Sequence, residues 1–501
     1  MAIIIVGLGP GDGRYLTREA WQVLSQADRI AVRTARHPAV SDLPGGASVR
    51  SFDHIYESAA SFEDVYASIV DEVLEMGQTA AGEPDVVYAV PGHPLVGEST
   101  VTAILNRARD AGLETRIVDG LSFVEPTLSA LEQDAFEGLQ LFDALELAGY
   151  SHPPLNCDRP TLLGQVYDRL VAGEVKLALM AIYPHDHGVA LIHGAGTEGQ
   201  DVERLPLYGI DRSERIGHLS SLYVPPLPGT GSLASLAETV AFLRGPDGCP
   251  WDQEQNSQSL RAGFLEEASE VLQAIDDQDY AALREELGDM LYHLIMQVQI
   301  AVELEEFRLS EVVGGIVSKL IRRHPHVWGE VDVANSGEVI RNWEAIKDQE
   351  NHKTPKAESV LSSVPLAMPA LARAQKIQQR VARVGFEWPN IEGVEAKIRE
   401  ELEEVRSAPT TAERHMELGD LLFALVNWLR WQDVDAESVL RAASRRFERR
   451  FRRVEQYARS RKLDLADMNI DALEALWQEA KTAIDSEDEV TLNGDLTESI
   501  T

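Results

Sequence analysis

Cysteine is nearly absent from this chain. Its two, Cys157 and Cys249, lie far apart among 501 residues and form no Cys-x-x-Cys, so neither a disulfide framework nor a zinc site is supported. Long apolar runs are missing too: none reaches the roughly 20 residues that a membrane-spanning helix needs. No basic leader precedes the short apolar run at the N-terminus, which argues against a signal peptide. Positive charge is scarce, with 46 Lys and Arg against 82 Asp and Glu for a net charge of −36. That field repels phosphate backbones, so neither nucleic acid nor membrane is an expected partner. A phosphate ligand would need local Lys or Arg, or a metal, to overcome it. What is present, 44% hydrophobic and 26% charged residues, suits core-forming chains, and the length suggests about three domains. A soluble cytoplasmic protein is the expectation.

Glycine gathers at strand ends in the first half. Ile3-Ile-Ile-Val6 reads as a buried strand running into Gly7-Leu-Gly-Pro-Gly-Asp-Gly13, with a helix following from an N-cap at Thr17. The loop is an incomplete fingerprint. Asp12 occupies the last position of Gly-x-Gly-x-x-Gly, and no Lys-Ser/Thr follows as a P-loop requires. Cofactor site and plain tight turn both stay open. Further strands are predicted at 85–90, 116–118 and 176–181. Pro91-Gly-His-Pro94 and Gly120-Leu-Ser-Phe-Val124 follow the first two at their carboxyl ends, where open α/β sheets bind ligands. His185, Asp186, His187 and His193 fit no usual metal spacing and read as solvated loop residues.

Gly7-x-Gly-Pro-Gly-Asp12, Val90-Pro-Gly-His-Pro94 and Gly120-x-Ser-Phe123 resemble the tetrapyrrole (corrin/porphyrin) methylase family. The resemblance implies two α/β lobes over residues 1–225 with S-adenosylmethionine between them. It carries cofactor positions onto Pro10, Gly92, His93, Val96, Ser122 and Phe123. His93 departs from the family, many of whose members have Gly-Asp-Pro there.

Val224-Pro-Pro-Leu-Pro-Gly-Thr-Gly231 cannot continue a helix or a central strand, which puts a linker at 226–232. Beyond it glycine thins out and long apolar-periodic segments predict all-α structure. The segment holds an ordered duplication. Glu266-Glu267-x-x-Glu270 and Glu286-Leu-Gly-Asp289 are mirrored by Glu400-Glu401-x-x-Glu404 and Glu417-Leu-Gly-Asp420. Lys319-x-x-Arg322-Arg323 parallels Arg446-x-x-Arg449-Arg450, and Trp343-x-x-x-Lys347 parallels Trp477-x-x-x-Lys481. One such acidic helix pair is most simply two solvated faces. Two copies, each followed by the same basic and aromatic residues in the same order, point to a site. Carboxylates three apart share a helix face, and two such helices can hold Mg²⁺. Arg446 and Arg450 lie four apart and would clamp phosphate, with salt bridges to acids such as Glu448 as the competing use. Trp477 fits base stacking or packing; Phe447 and Phe451 read as bundle core.

These residues, with Gly248-Cys-Pro-Trp-Asp252, Arg322-Arg-His-Pro-His-Val-Trp328, Pro369-Ala-Leu-Ala-Arg-Ala-Gln-Lys-Ile-Gln378 and Val384-Gly-Phe-Glu-Trp388, resemble the MazG nucleoside triphosphate pyrophosphohydrolases. The resemblance implies all-α repeats over 233–355 and 356–482, homodimers whose sites draw on neighbouring helices, and Mg²⁺-dependent cleavage of nucleoside triphosphates to NMP and pyrophosphate. It carries metal-ligand and catalytic roles onto Glu401, Glu404, Glu417 and Asp420, and substrate binding onto Arg446 (often Lys in the family), Arg450 and Trp477. The first copy supplies Glu267, Glu270, Glu286 and Asp289 as further metal ligands. A methylase-like domain ahead of two such repeats resembles the YabN type. The competing expectation is a tetrapyrrole methyltransferase dimerised by inactive helices. The acidic stretch 483–501 is expected to be a disordered tail.

Overall fold

The computed structural model describes residues 2–43, 48–58, 62–78, 85–351, 359–362 and 364–498. Two compact units divide the chain at Ile316/Val317. The first opens on an all-parallel sheet of β1 (Ala2–Gly7), β2 (Arg29–Val32), β3 (Ser48–Ser51), β4 (Val86–Val90) and β5 (Glu114–Val118), in the order β3-β2-β4-β1-β5. Every residue of β4 is buried, as a parallel sheet covered on both faces requires. Tyr88 and Val90 pack on α2 (Asp53–Ser58), α3 (Phe62–Gly77) and α4 (Ser99–Asp110), while Val87 and Ala89 pack towards α1 (Arg18–Gln26). Thr17 caps α1 as expected, accepting from the Ala20 amide. The loops after β1, β4 and β5 therefore share the carboxyl edge of the sheet.

After α5 (Val124–Leu131) comes a mixed sheet of β6 (Gln140–Asp143), β7 (Thr161–Gly164), β8 (Gly188–His193), β9 (Asp201–Pro206) and β10 (Ser220–Val224), ordered β6-β7-β10-β8-β9. Only the β6–β7 pairing is parallel. Packed here are α6 (Ala144–Ala148) and α7 (Arg169–Leu179). The strand expected at 176–181 is a correction: residues 176–179 form the last turn of α7. Asp168 caps that helix by accepting from the Val171 amide, and Val171, Ala172, Val175, Ala178 and Leu179 recur at helical spacing on its buried side.

The Pro/Gly segment after β10 is anchored. Asp158 accepts from the Gly231 amide at 2.7 Å, from the Ser232 hydroxyl at 2.5 Å and amide at 3.2 Å, and from the Ser235 hydroxyl. Burial pushes this carboxyl up, but those donors outweigh it and hold it well below the usual carboxylate range. They also fix the start of α8 (Leu233–Arg244), whose N-cap is Ser232. Replacing Asp158 with Ala leaves these donors unmatched. The expected loss is about 1–2 kcal/mol in a denaturant melt, with faster proteolytic cutting at 225–232.

The remainder is helical: α9 (Pro250–Glu254), α10 (Arg261–Asp277), α11 (Tyr280–Glu303), α12 (Leu309–Arg323), α13 (Pro325–Trp328), α14 (Ser336–Asn351), α15 (Ala370–Ala382), α16 (Ile391–Ser407), α17 (Thr411–Trp431), α18 (Ala436–Arg461) and α19 (Ile470–Glu498). Helix α19 runs through residues 483–498 of the stretch expected to be a disordered tail, with no proline in it to break the helix; residues 499–501 lie outside the described residues. Two hairpins dominate, α10–α11 in the first unit and α16–α17 in the second. Each closes tightly. Asp279 accepts from the Ala281 and Ala282 amides, and Thr410 and Glu413 form a capping box in which Glu413 also accepts from the Thr410 amide at 3.0 Å.

Candidate metal centres and cofactor cleft

The α16–α17 hairpin brings Glu401, Glu417 and Asp420 together, with one oxygen of each within 4.8 Å of the others. Glu401 is buried, and its Oε2 has no hydrogen-bond partner, while its Oε1 meets Lys397 Nζ at 2.6 Å. Lys397 also reaches Glu400 at 2.9 Å, and the two glutamates hold its ammonium above the ordinary lysine range. Glu404 adjoins the set; its carboxyl is raised by desolvation and then by the Glu401 charge. A buried carboxylate oxygen left unpaired among three other carboxylates fits a hard cation.

The α10–α11 hairpin does the same with Glu267, Glu270 and Glu286. Desolvation raises the Glu267 and Glu286 carboxyls, and neighbouring carboxylates including Asp289 raise both further. Six of the eight carboxylates singled out from the sequence thus form two local clusters, one per hairpin, with Asp289 and Glu404 as their charged neighbours.

Beside the second cluster opens a cavity of about 540 Å³. Glu401, Asp420 and Lys397 form its polar end; Phe386, Trp388 and Phe423 supply aromatic wall, and Asn427 and Arg430 complete it. Arg430 is held by Glu387 and by Asn427 Oδ1 at 3.0 Å, and Glu387 also accepts from Trp431 Nε1 at 3.0 Å. The sequence motifs at 369–378 and 384–388 had singled out Gln378 and Gly385 to Trp388 without giving them a place in the site, while Lys397, Asn427 and Arg430 were missed; for Lys397 a signal was available, since it stands one helical turn before Glu401.

Arg446, Arg450 and Trp477 do not line this cavity. Arg446 is exposed, Arg450 bridges to Asp485 at 2.8 Å, and Trp477 packs on Phe447 with ring centroids 4.9 Å apart. Phe447 and Phe451, expected as bundle core, stack on each other but are 57% and 42% exposed.

In the first sheet's domain, the glycines let loops pack on one another. A Cβ on Gly7 would sit 2.6 Å from the Gly92 carbonyl oxygen and one on Gly120 2.4 Å from it, while Gly9 and Gly92 exchange backbone hydrogen bonds of 2.8 and 3.2 Å. Beside them lies a cleft of about 240 Å³ lined by Pro10, Gly92, Val96 and Phe123, but not by His93 or Ser122. His93 Nδ1 accepts from the Leu95 amide at 3.0 Å and its Nε2 lies 3.4 Å from Asp119; the Ser122 hydroxyl donates to Glu125 at 2.6 Å. The cleft also holds a buried ion pair that the sequence did not announce, Arg33 with Glu98. Arg33 donates to Tyr56 at 2.9 Å as well, and burial drops His37 to about 4, leaving it neutral near pH 7. His187 and His193 are occupied elsewhere, His187 by the Pro225 carbonyl at 2.9 Å and His193 by Ser220 and Glu203.

Family models match the chain in two places. Residues 2–211 match the tetrapyrrole (corrin/porphyrin) methylases, and residues 255–328 match the MazG nucleotide pyrophosphohydrolase domain, a stretch containing the first carboxylate cluster. The uncharacterized protein YabN of Bacillus subtilis is 39% identical over 488 residues, covering 96% of this chain and 98% of that protein. A nucleoside triphosphate pyrophosphohydrolase of Escherichia coli K12 is 42% identical over 246 residues, covering 48% of this chain and 93% of that one. The nucleoside triphosphate pyrophosphohydrolase/pyrophosphatase MazG of Thermotoga maritima is 41% identical over 246 residues, covering 49% and 94%.

Proposed function

The chain belongs to the family that joins a tetrapyrrole methylase domain to a MazG nucleotide pyrophosphohydrolase domain, and from that premise we propose that it carries two MazG-like repeats and cleaves nucleoside triphosphates to NMP and pyrophosphate in the second. The observation that carries this is the cavity whose polar end is formed by Glu401 and Asp420, with an unpaired Glu401 oxygen beside it. Glu401, Glu417 and Asp420, with Glu404 adjoining, would hold Mg²⁺, which when bound neutralises phosphate charge and lowers the pKa of water. With an ion held by these carboxylates, the triphosphate would lie against Glu401 and Asp420 in the cavity. Trp388 and Phe386 present flat apolar surface to the base, which favours stacking without selecting one base. Lys397, tied to Glu401, lines the same cavity and would offer its ammonium to phosphate oxygens. The test is a panel of nucleoside triphosphates assayed for pyrophosphate with and without Mg²⁺. Within it, Trp388→Ala is expected to raise KM about tenfold with kcat little changed, the cost of about 1.4 kcal/mol of lost stacking.

A homodimer belongs to the same proposal. Val312, Val313, Ile316, Val317, Leu320 and Ile321 of α12 are each more than 40% exposed, as are Phe447 and Phe451 on α18. Apolar surface on this scale favours a covering partner. Light scattering coupled to size exclusion is expected to give twice the 55.3 kDa chain mass; a monomer at micromolar concentration contradicts it.

S-adenosylmethionine would occupy the cleft at Pro10, Gly92, Val96 and Phe123 and supply a methyl group. A protective thermal shift on adding it supports this, and none argues against it.

A further inference from the structure

Helix α15 buries two glutamines three residues apart, and the fold treats them differently. Gln375, 7% exposed, is paired at both ends of its amide. Its Nε2 donates to the Val434 carbonyl at 2.8 Å, and its Oε1 accepts from the Ala436 amide at 2.8 Å. It ties α15 to the start of α18 and does not line the cavity. Gln378 is buried more deeply, at 4% exposed, yet only one end of its amide is paired. Its Nε2 donates to the Phe423 carbonyl of α17 at 2.8 Å, while its Oε1 has no hydrogen-bond partner among the described residues. Gln378 does line the cavity.

The orientation of that amide is not free. A backbone carbonyl can only accept, so the nitrogen must face Phe423 and the oxygen is the end left for a ligand. One helical turn beyond Phe423 on α17, Asn427 makes the opposite choice. Its Oδ1 accepts from Arg430 Nε at 3.0 Å and from a terminal guanidinium nitrogen at 2.8 Å, and a guanidinium only donates. The Asn427 oxygen is thereby committed, and its Nδ2 donates to no acceptor among the described residues. Glu387 anchors Arg430 in turn, which holds the Asn427 amide in this sense. Beside the flat faces of Phe386 and Trp388, the cavity thus carries one amide oxygen without a donor and one amide nitrogen without an acceptor.

We propose that Gln378 and Asn427 read the base of the bound triphosphate and select one whose edge sets an exocyclic amino group beside an unprotonated ring nitrogen, as in adenine and cytosine. This rests on the hydrolase reading of the cavity and adds to it the class of nucleotide. The amino group donates to Gln378 Oε1, and the ring nitrogen accepts from Asn427 Nδ2. Guanine, hypoxanthine and uracil present the reverse order, setting a carbonyl oxygen against Oε1 and an N–H against an amide N–H. Stacking on Trp388 and Phe386 is indifferent to that order. A site built to hydrogen-bond an N–H rejects the analogue that lacks it, because the buried acceptor is then left unpaired.

The full-length protein with Mg²⁺ is assayed on ATP, ITP and purine riboside triphosphate, which carries hydrogen where ATP has its amino group. ATP is expected to exceed both in kcat/KM by at least about tenfold, and CTP to exceed UTP likewise. Gln378→Met, similar in length but apolar at its end, is expected to bring ATP and purine riboside triphosphate within about twofold of each other. Gln375→Met is expected to lower the melting temperature and leave that ratio as in the wild type. Asn427→Asp keeps an acceptor for Arg430, turns the donor into a second acceptor and is expected to lower kcat/KM for ATP about tenfold. Equal rates for ATP and purine riboside triphosphate in the wild type overturn the proposal, as does an unchanged ratio in Gln378→Met. A ratio lost equally in Gln375→Met overturns it too, since that residue lies off the cavity. The same ratios are read in equilibrium binding of the α,β-methylene analogues, whose bond at the cleavage point is not hydrolysed. Preference in binding without pyrophosphate release counts against the hydrolase reading alone; release without preference counts against base selection alone.

Discussion

Glu401→Gln is expected to reduce pyrophosphate release at least a hundredfold, whereas Glu267→Gln retains most of it. The substitution keeps the shape of a buried side chain but removes the charge from the group whose Oε2 is unpaired and whose Oε1 holds Lys397. A hundredfold loss corresponds to about 2.7 kcal/mol of transition-state stabilisation. Steady-state kinetics of both variants check it, with circular dichroism confirming that the helices persist. The reverse pattern would move catalysis to the first hairpin.

Withdrawal of Mg²⁺ has the other large effect expected. Chelation should abolish turnover, and the metal-free protein should melt at a lower temperature near neutral pH. The sign follows from the carboxyls of Glu267, Glu286 and Glu404, all raised in the fold. A carboxyl with a raised folded pKa is easier to keep protonated in the fold than in the unfolded chain. The metal-free fold is therefore favoured at low pH and loses that advantage as pH rises through the raised values. A bound cation cancels the repulsion, so the gap between metal-bound and metal-free melting temperatures should widen as pH rises through the raised carboxyl values. Glu350 runs the opposite way. Arg323 and Arg322 hold it at about 2, so its contribution is complete above the ordinary glutamate pKa and disappears as pH falls towards that value.

The sequence made the architecture legible where pattern and period agreed. Ile3–Val6 and Val86–Val90 are continuous apolar runs ended by glycine loops, and both are central strands. Residues 176–181 failed because Lys-Leu-Ala-Leu-Met-Ala is apolar enough for either period. The deciding cap, Asp168, lies eight residues upstream. The carboxylate clusters were legible because helical spacing plus duplication is local information. The cavity was not: Phe386 and Trp388 precede α16, while Asn427 and Arg430 end α17, and only the folded hairpin makes them neighbours.

Other limits were also matters of distance along the chain. Arg33 and Glu98 are separated by 65 residues, so nothing local pairs them. The glycines at 7, 92 and 120 looked like openings for a ligand, but at Gly7 and Gly120 the space is taken by backbone of the neighbouring loops. Arg450 was expected to clamp phosphate and in the protomer meets Asp485 on α19. A methylase fold and a pyrophosphohydrolase fold in one chain were each readable from their loops and helices, yet neither set of motifs names a substrate base or a methyl acceptor.

The most direct measurement is a mass balance on the full-length protein incubated with a panel of canonical and modified nucleoside triphosphates, with and without Mg²⁺ and S-adenosylmethionine. The account predicts NMP and pyrophosphate in equal amounts, dependent on Mg²⁺ and indifferent to S-adenosylmethionine. Orthophosphate as the product, or methyl transfer to a tetrapyrrole with no nucleotide consumed, would contradict it.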